Sequence, residues 1–195
     1  MDLTRIPLED ALLRLEPLAE RHREPLRPLA DDPALWVQTN LNASGDGFDP
    51  WFEAMTTENV TGRQISYAVF DKRSETYAGH SAYLTLSPEH ARVEIGWTWY
   101  GTQFHRTHVN PAAKRLLFAH AFGAGAARVE LKTGGENLRS QGAMEKLGAV
   151  REGVLRSHSM TWTGARRDSV YFSVLANEWP AVKAGLDARL EDGAR

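Results

Sequence analysis

The sequence predicts a mixed α/β fold in which helices cover a largely antiparallel sheet, and three observations support this prediction. The middle of the chain contains three strand-like segments joined by short turns, the last of them alternates apolar and polar residues, and helix and strand patterns then alternate toward the C-terminus. The chain has 195 residues, which is the size of one compact unit with one sizeable core. We therefore expect a single domain spanning residues 1–195.

The first third of the chain contains one short strand pattern and several helical patterns. We predict a strand around residues 12–15, helical segments at 19–31 and 34–38, and a loop at 40–50 that is rich in Asn, Gly, Ser and Asp. A further helix begins near Asp49, with Asp49 as its N-cap and Pro50 in its first position.

The three strand patterns of the middle region cover residues 64–70, 77–86 and 92–100. In the third, alternate positions are apolar, with Val93, Ile95, Trp97 and Trp99 on one side and Arg92, Glu94, Gly96 and Thr98 on the other. This period of two predicts a strand on which Glu94 shares a face with Gly96 and Thr98.

A clear helix pattern follows, capped by Asn110, with Pro111 in its first position and Gly123 or Gly125 at its end. Beyond it we predict a strand at 128–133, a helix at 137–147 that ends at Gly148, and two strands at 150–163 and 168–175. The final helix carries a stripe of apolar residues for burial, namely Trp179, Val182, Leu186 and Leu190.

Composition and charge exclude several classes of function. The formal net charge of -2 gives no basic field of the kind that nucleic acids or anionic membranes require, so we expect neither as a partner. The chain has no cysteine, which excludes thiolate metal sites and a cysteine nucleophile and favours a cytoplasmic location.

The segment between the third strand and the following helix carries His105, Arg106 and His108 directly before a helix start. Unpaired backbone N–H groups and the positive end of the helix dipole make such a position a ready site for phosphate, to which Arg106 adds charge. An ordinary capped helix with a solvated polar loop explains the same residues equally well. The two histidines lack a third ligand nearby in sequence, so we expect no metal site.

Two further positions carry side chains suited to acyl transfer. Glu94, held on a strand, can accept a proton from an amine directly or through water, although a structural pair with Arg92 or a cross-strand neighbour explains it too. Asn137 and Ser140 begin the next helix, where either can act as a cap and where a serine hydroxyl can also donate a proton to a leaving thiolate.

Taken together, several blocks of sequence resemble the ribosomal-protein-alanine N-acetyltransferase (RimJ/RimL-like) branch of the GNAT superfamily. The resemblance extends over about residues 10–190 and is weakest at 30–63. The blocks that carry it are residues 93–97, 105–110, 128–133, 137–140, 147–156 and 168–179.

The resemblance implies a GNAT fold whose sheet splays at its centre, between the strands at 92–100 and 128–133, and an acetyl-CoA-dependent N-acetyltransferase with acetyl-coenzyme A as co-substrate. It implies that Glu94 and Ser140 are catalytic, Ser140 as the donor of a proton to the departing thiolate. It also implies a set of cofactor-binding residues, in which Ile95, Trp97 and Asn137 bind the pantetheine arm and the pyrophosphate lies over His105, Arg106, Thr107, His108, Val109 and Asn110.

One departure from the superfamily pattern concerns the phosphate loop, where His108 and Asn110 occupy places that usually hold glycine or alanine. Because glycine allows the backbone to approach phosphate closely, the departure raises the alternative of a non-catalytic coenzyme A-binding sensor or scaffold. For an enzyme, the acceptor is a primary amine, either a protein N-terminus or a small molecule, and the chain is a monomer or a homodimer.

Overall fold

A computed structural model of the chain describes residues 1–192, in which one eight-stranded sheet is covered by five α-helices. The strands are β1 (Leu8–Glu9), β2 (Leu13–Pro17), β3 (Ile65–Asp71), β4 (Thr76–Ser87), β5 (Arg92–Tyr100), β6 (Arg128–Gly134), β7 (Val150–Met160) and β8 (Arg166–Leu175). The helices are α1 (Arg23–Ala30), α2 (Phe48–Val60), α3 (Val109–Gly123), α4 (Leu138–Leu147) and α5 (Trp179–Asp192).

The sheet has the order β1-β2-β3-β4-β5-β6-β8-β7, and every neighbouring pair is antiparallel except β5 and β6. The predicted mixed α/β fold is therefore confirmed. Two parallel neighbours need a long crossover, and α3 supplies it between β5 and β6. The single parallel pair lies in the middle of the sheet, where the splay was expected.

Two hydrophobic cores lie on opposite faces of the sheet. On one face α3 and α5 pack against the strands, where Tyr83, Ile95, Leu117 and Phe172 are buried. On the other face α1 and α2 form a smaller core that is dominated by aromatic rings, including Trp36, Trp51, Phe52 and Trp99. We call these the α3 face and the α2 face of the sheet.

Two predictions for the first third of the chain are wrong. The segment 34–38 forms only a short 3-10 turn over Pro33–Leu35, because Trp36 turns into the core and its indole N–H donates to the carbonyl of Ala30 at 2.8 Å. Helix α2 begins at Phe48 with Gly47 at the N-cap, so Asp49 is not the cap. Its carboxylate instead forms ion pairs with Arg23 and Arg27 of α1, at 2.8 Å each.

The later helices follow the predictions more closely. Helix α3 begins at Val109 rather than after Asn110, because the hydroxyl of Thr107 accepts from the N–H of Val109 and supports an earlier helix start. Helix α4 ends at Gly148 as predicted, in the left-handed conformation (φ +92°) that glycine adopts readily. The stripe of α5 is confirmed: Val182, Leu186 and Leu190 are buried, and Trp179 stacks on Phe118 of α3.

Candidate active site

The parallel pairing of β5 and β6 stops after three residues, and a gap opens beyond it. Arg92, Val93 and Glu94 pair with Arg128, Val129 and Glu130, whereas β6 stays paired with β8 as far as Gly134. From Ile95 onward, the edge of β5 that faces β6 has no strand partner among residues 1–192. The splay implied by the resemblance is present, and it leaves Ile95 and Trp97 without a partner in β6.

A β-bulge lies on β5 beside this gap. Gly96 pairs with Ala82 and Trp99 with His80, so two residues, Trp97 and Thr98, stand opposite the single Ser81 of β4. Trp97 has a φ of +47°, which is unfavourable for a residue with a bulky side chain.

The bulge corrects the predicted alternation along β5. The side chain of Thr98 lies on the α3 face, where it bonds Lys114, and Trp97 packs into the core of the α2 face together with Trp99. Glu94 and Gly96 share the α2 face as predicted, but Thr98 does not. The extra residue of a bulge reverses the facing of every position after it.

Glu94 is buried and paired with residues of both neighbouring strands. Its Oε2 lies 3.2 Å from Nζ of Lys132 on β6 and accepts from the hydroxyl of Thr85 on β4 at 3.4 Å. Arg92 bonds Glu130 instead, at 3.3 Å. A Cβ at position 96 would lie 2.6 Å from Cδ1 of Leu84 and 3.2 Å from Oε1 of Glu94, so the absence of a side chain at Gly96 lets Leu84 and the carboxylate pack against the backbone of β5. Glu94 is thus a charged group at the wall of the gap.

The backbone of the loop before α3 is arranged as an anion site. Arg106 is exposed and adopts a left-handed conformation with a φ of +63°. The backbone N–H groups of Thr107, His108 and Asn110 donate to no acceptor within residues 1–192. Free N–H groups grouped at the start of a 15-residue helix form the kind of site that binds phosphate.

The two histidines of this loop are committed to protein contacts. His108 Nε2 lies 2.8 Å from Oδ1 of the buried Asp71. Burial alone would raise the pKa of Asp71, but hydrogen bonds from Ser74 and His108 outweigh it and lower that pKa. His105 Nε2 lies 3.1 Å from the carbonyl of Tyr100, so this nitrogen carries a proton and the other ring nitrogen accepts from Arg139 at 3.3 Å. The exposed cationic side chains of the region are therefore Arg106 and Arg139, of which Arg139 also contacts His105.

The start of α4 stands across the mouth of the gap from this loop, as the Arg139–His105 contact shows. Asn137 is the cap of α4, because its side-chain oxygen accepts from the N–H of Ser140 at 3.1 Å. The amide N–H₂ of Asn137 and the hydroxyl of Ser140 form no hydrogen bond with any residue from 1 to 192. Both groups remain available to a ligand in the gap.

A cleft of about 630 Å³ adjoins the same end of the sheet. Gln38, Glu136, Gln141, Trp162 and Asp168 are among the residues that line it. Gln38 and Glu136 also border a smaller groove of about 280 Å³ that reaches Asn137 and Arg139. The two openings are therefore contiguous.

The wall of the large cleft is tied in place by the β7–β8 turn. Trp162 donates its backbone N–H to Thr39 and its indole N–H to Trp36, both at 3.0 Å. These contacts fix the segment after α1 against the hairpin.

Sequence reasoning missed the residues that act on the predicted ones. Lys132 and Thr85 hold Glu94, Asp71 holds His108, and Arg139 reaches His105. Arg139 and Lys132 lie inside the blocks 137–140 and 128–133, so their positions were usable signals. Thr85 and Asp71 lie outside every such block and meet Glu94 and His108 only in the folded chain. Within residues 1–192 no three His, Asp or Glu side chains are grouped to hold a metal ion. No helix in that range is both long and apolar enough to cross a membrane.

Comparison with known proteins identifies the fold independently. A family model described as the GNAT acetyltransferase domain matches residues 13–150. A crystal structure of a protein from T. thermophilus described as an acetyltransferase is 37% identical, covers 97% of this chain and 100% of its own, and has a TM-score of 0.83.

A GCN5-related N-acetyltransferase from Brucella melitensis is 30% identical. The match covers 96% of this chain and 86% of the Brucella chain, with a TM-score of 0.88. Mycobacterium smegmatis RimJ, in complex with CoA-disulfide, shares the fold at 18% identity, with coverage of 94% and 93% and a TM-score of 0.77. A search of curated proteins finds no match.

Proposed function

Because the chain belongs to the GNAT family of acetyl-CoA-dependent N-acetyltransferases, we propose that the gap between β5 and β6 is where it transfers an acetyl group to a primary amine. One observation carries this proposal. The strand pairing ends at Glu94 and Glu130, directly beside a helix start with free backbone N–H groups. A ligand with an extended polar arm and a phosphate end fits this arrangement of groups.

The acyl donor is held by backbone and side-chain groups of four segments. Ile95 and Trp97, which have no partner in β6, offer backbone groups to the pantetheine arm, and the amide of Asn137 offers a donor on the other side of the gap. The pyrophosphate lies over residues 105–110, where the N–H groups of Thr107, His108 and Asn110 point to it. Arg106 and Arg139 supply the charge, so that the loss of loop glycines is compensated by two guanidinium groups.

Acetyl transfer by direct attack needs a neutral amine, and Glu94 takes the proton that the amine loses. Its carboxylate is fixed on a strand, faces the α2 side of the gap and is paired with Lys132, which compensates its negative charge. Glu94 is the base in this proposal.

The leaving group of the reaction is the thiolate of coenzyme A, and Ser140 protonates it. Ser140 lies in the first turn of α4, so the positive end of the helix dipole stabilises negative charge that develops there. The reaction needs no covalent enzyme intermediate, in agreement with a chain that has no cysteine.

The acceptor is a protein N-terminus or a small amine, and the cleft of about 630 Å³ is its proposed entrance. A cleft of this size accepts a small ligand or the first residues of a peptide. RimJ from M. smegmatis and a ribosomal-protein-serine acetyltransferase from Vibrio cholerae share the fold, which supports the peptide N-terminus as the first acceptor to test.

The test is calorimetric titration with acetyl-CoA, followed by thiol release from the same sample on addition of amines and N-terminal peptides. We expect binding, and thiol release that depends on the acceptor. Binding without release by any acceptor would favour the sensor or scaffold, for which the commitment of His108 to Asp71 is the one supporting observation. Absence of binding would contradict the assignment of the gap.

The oligomeric state and the cellular location of the protein are part of the same proposal. We propose a cytoplasmic enzyme, on the basis of the cysteine-free sequence, that acts as a monomer or a homodimer. Light scattering during chromatography at the assay concentration distinguishes monomer from dimer, and cell fractionation tests the location.

A further inference from the structure

Two polar side chains that the proposed mechanism does not use hold the β5 bulge from opposite faces of the sheet. His80 of β4 lies on the α2 face, and its Nδ1 is 2.8 Å from the carbonyl oxygen of Trp97. Lys114 of α3 lies on the α3 face, and its Nζ donates to the hydroxyl of Thr98 at 2.9 Å. The first contact is to the peptide group that joins Trp97 to Thr98, and the second is to the side chain of the residue that follows that peptide.

His80 is an unfavourable residue for this position. It is fully buried among aromatic rings, 5.1 Å from the ring of Trp51 between centroids, and its Nε2 has no hydrogen-bond partner within residues 1–192. Burial lowers the pKa of His80 to about 4, so the ring is neutral at neutral pH. A neutral ring that bonds a carbonyl through Nδ1 carries its proton there, and Nε2 remains an unsatisfied acceptor. An apolar residue would avoid this penalty.

Lys114 is likewise unfavourable to bury. Its amine has one side-chain hydrogen bond and no carboxylate partner in the described part of the chain, and burial lowers its pKa to about 7. Thr98 does not depend on it, since the hydroxyl of Ser81 lies 2.7 Å from that of Thr98. Neither His80 nor Lys114 is therefore explained by the stability of the core.

Together, the two contacts fix the orientation of the Trp97–Thr98 peptide plane at the gap. The carbonyl of Trp97 points to the α2 face, where His80 donates to it. In a trans peptide the following N–H points the opposite way, so the N–H of Thr98 is directed to the α3 face. That is the face on which the helix start offers its anion site, and the strand at this point has no partner in β6.

We propose that His80 and Lys114 are positioning residues, which together hold the Trp97–Thr98 peptide so that its N–H donates to a carbonyl oxygen of the acyl donor's arm. The inference rests on the proposed function of the gap. It adds two residues that never touch the reacting atoms but set the geometry of a backbone donor. The strained φ of Trp97 is kept because both sides of the bulge are bonded.

The first test compares three full-length variants for binding of coenzyme A and of adenosine 3′,5′-bisphosphate, the nucleotide end of coenzyme A without its arm. H80L removes the donor, H80N keeps a donor at the place of Nδ1, and K114M removes the amine while Ser81 still bonds Thr98. We expect H80L and K114M to weaken coenzyme A binding about tenfold, the effect of roughly one lost hydrogen bond. We expect adenosine 3′,5′-bisphosphate to bind all variants equally, and H80N to bind coenzyme A nearly as the wild type does.

The second measurement separates positioning from folding. Because each polar group is poorly satisfied, K114M should unfold at a temperature equal to or above that of the wild type, while its kcat/KM for acetyl-CoA falls. Unchanged coenzyme A binding in K114M and H80L would overturn the inference, and so would an equal loss of binding by both ligands.

If H80L does not fold, the comparison relies on K114M and H80N. Nitrogen NMR of the wild type, which shows which ring nitrogen of His80 carries the proton, is an independent test. A proton on Nε2 of His80 rather than on Nδ1 would contradict the proposal, because Nδ1 could then not donate to the carbonyl of Trp97. A wild type that binds neither ligand would instead refute the proposed function itself.

Discussion

At the scale of the residue, the sequence predicted the chemical roles of the site's side chains but not the residues that contact them. Glu94 and Ser140 were predicted as base and acid, and the structure adds that Glu94 is paired with Lys132 while the Ser140 hydroxyl forms no hydrogen bond with residues 1–192. The roles of both remain predictions. They are tested by kinetics, because each role changes a different step of the reaction.

Ser140→Ala should lower kcat about 100-fold and leave the affinity for acetyl-CoA within a few-fold, because a general acid acts only on the departing thiolate. Ser140→Thr keeps a hydroxyl and serves as the matched control. Thiol release and calorimetry measure the two quantities. Equal losses of rate and affinity in the alanine variant would show that Ser140 supports the helix start rather than the chemistry.

Glu94→Gln should change the pH dependence of kcat/KM, because the carboxylate that accepts the proton of the amine is gone. Activity should fall by about two orders of magnitude, the usual contribution of a general base. Glu130→Gln, which changes the neighbouring carboxylate on β6, is the control and should keep the wild-type profile. An unchanged profile in Glu94→Gln would assign proton removal to water or to another residue.

At the scale of the element, the start of α4 combines a structural and a ligand-binding task in one residue. Asn137 uses its side-chain oxygen as the helix cap and leaves its amide N–H₂ free. Asn137→Ala should lose both, destabilising the protein by about 1 kcal/mol and weakening coenzyme A binding. Asn137→Asp should keep the cap and lose only the donor.

Thermal unfolding and calorimetry separate the two tasks of Asn137. We expect the aspartate variant to unfold near the wild-type temperature but to bind coenzyme A about tenfold more weakly. Wild-type affinity in the aspartate variant would mean that the amide does not contact the ligand.

Strand β5 shows why element boundaries are easier to predict than geometry. Its alternating pattern predicted residues 92–100, and the structure gives Arg92–Tyr100. The same pattern could not reveal the bulge, because Trp97 and Thr98 stand opposite Ser81 only through the register with β4. In α2, Asp49 is a residue type that commonly caps helices, yet its position is determined by ion pairs with Arg23 and Arg27.

At the scale of the whole molecule, Glu16 of β2 bonds the segment before α1 to the sheet. Its protonation makes the free energy of unfolding decrease at acid pH. Burial would raise the pKa of Glu16, but hydrogen bonds from His22, Arg21 and Arg14 outweigh it and lower that pKa to about 2. A lowered folded-state pKa contributes stability above the unfolded value near 4.5, and this stability is lost as the pH falls through about 2.

In denaturant unfolding between pH 6 and pH 2, the wild type should therefore lose about 2–3 kcal/mol more stability than Glu16→Gln, while the other carboxylates contribute equally to both. Glu58→Gln, which removes an exposed ion pair with Arg63, is the control. An equally steep loss in both variants and the wild type would show that Glu16 does not control acid stability.

The sequence by itself determined the order and type of the main elements and the family to which they belong, because hydrophobic periodicity, helix ends and motif spacing are local properties of the chain. It also indicated the loop at 105–110 and the start of α4. Tertiary structure alone decided that pairing of β5 and β6 ends at Glu94, that Lys132 faces this carboxylate, and that His80 and Lys114 meet at one bulge. Those facts depend on strand register and on burial, in which residues far apart in sequence compete for the same space and the same hydrogen bonds.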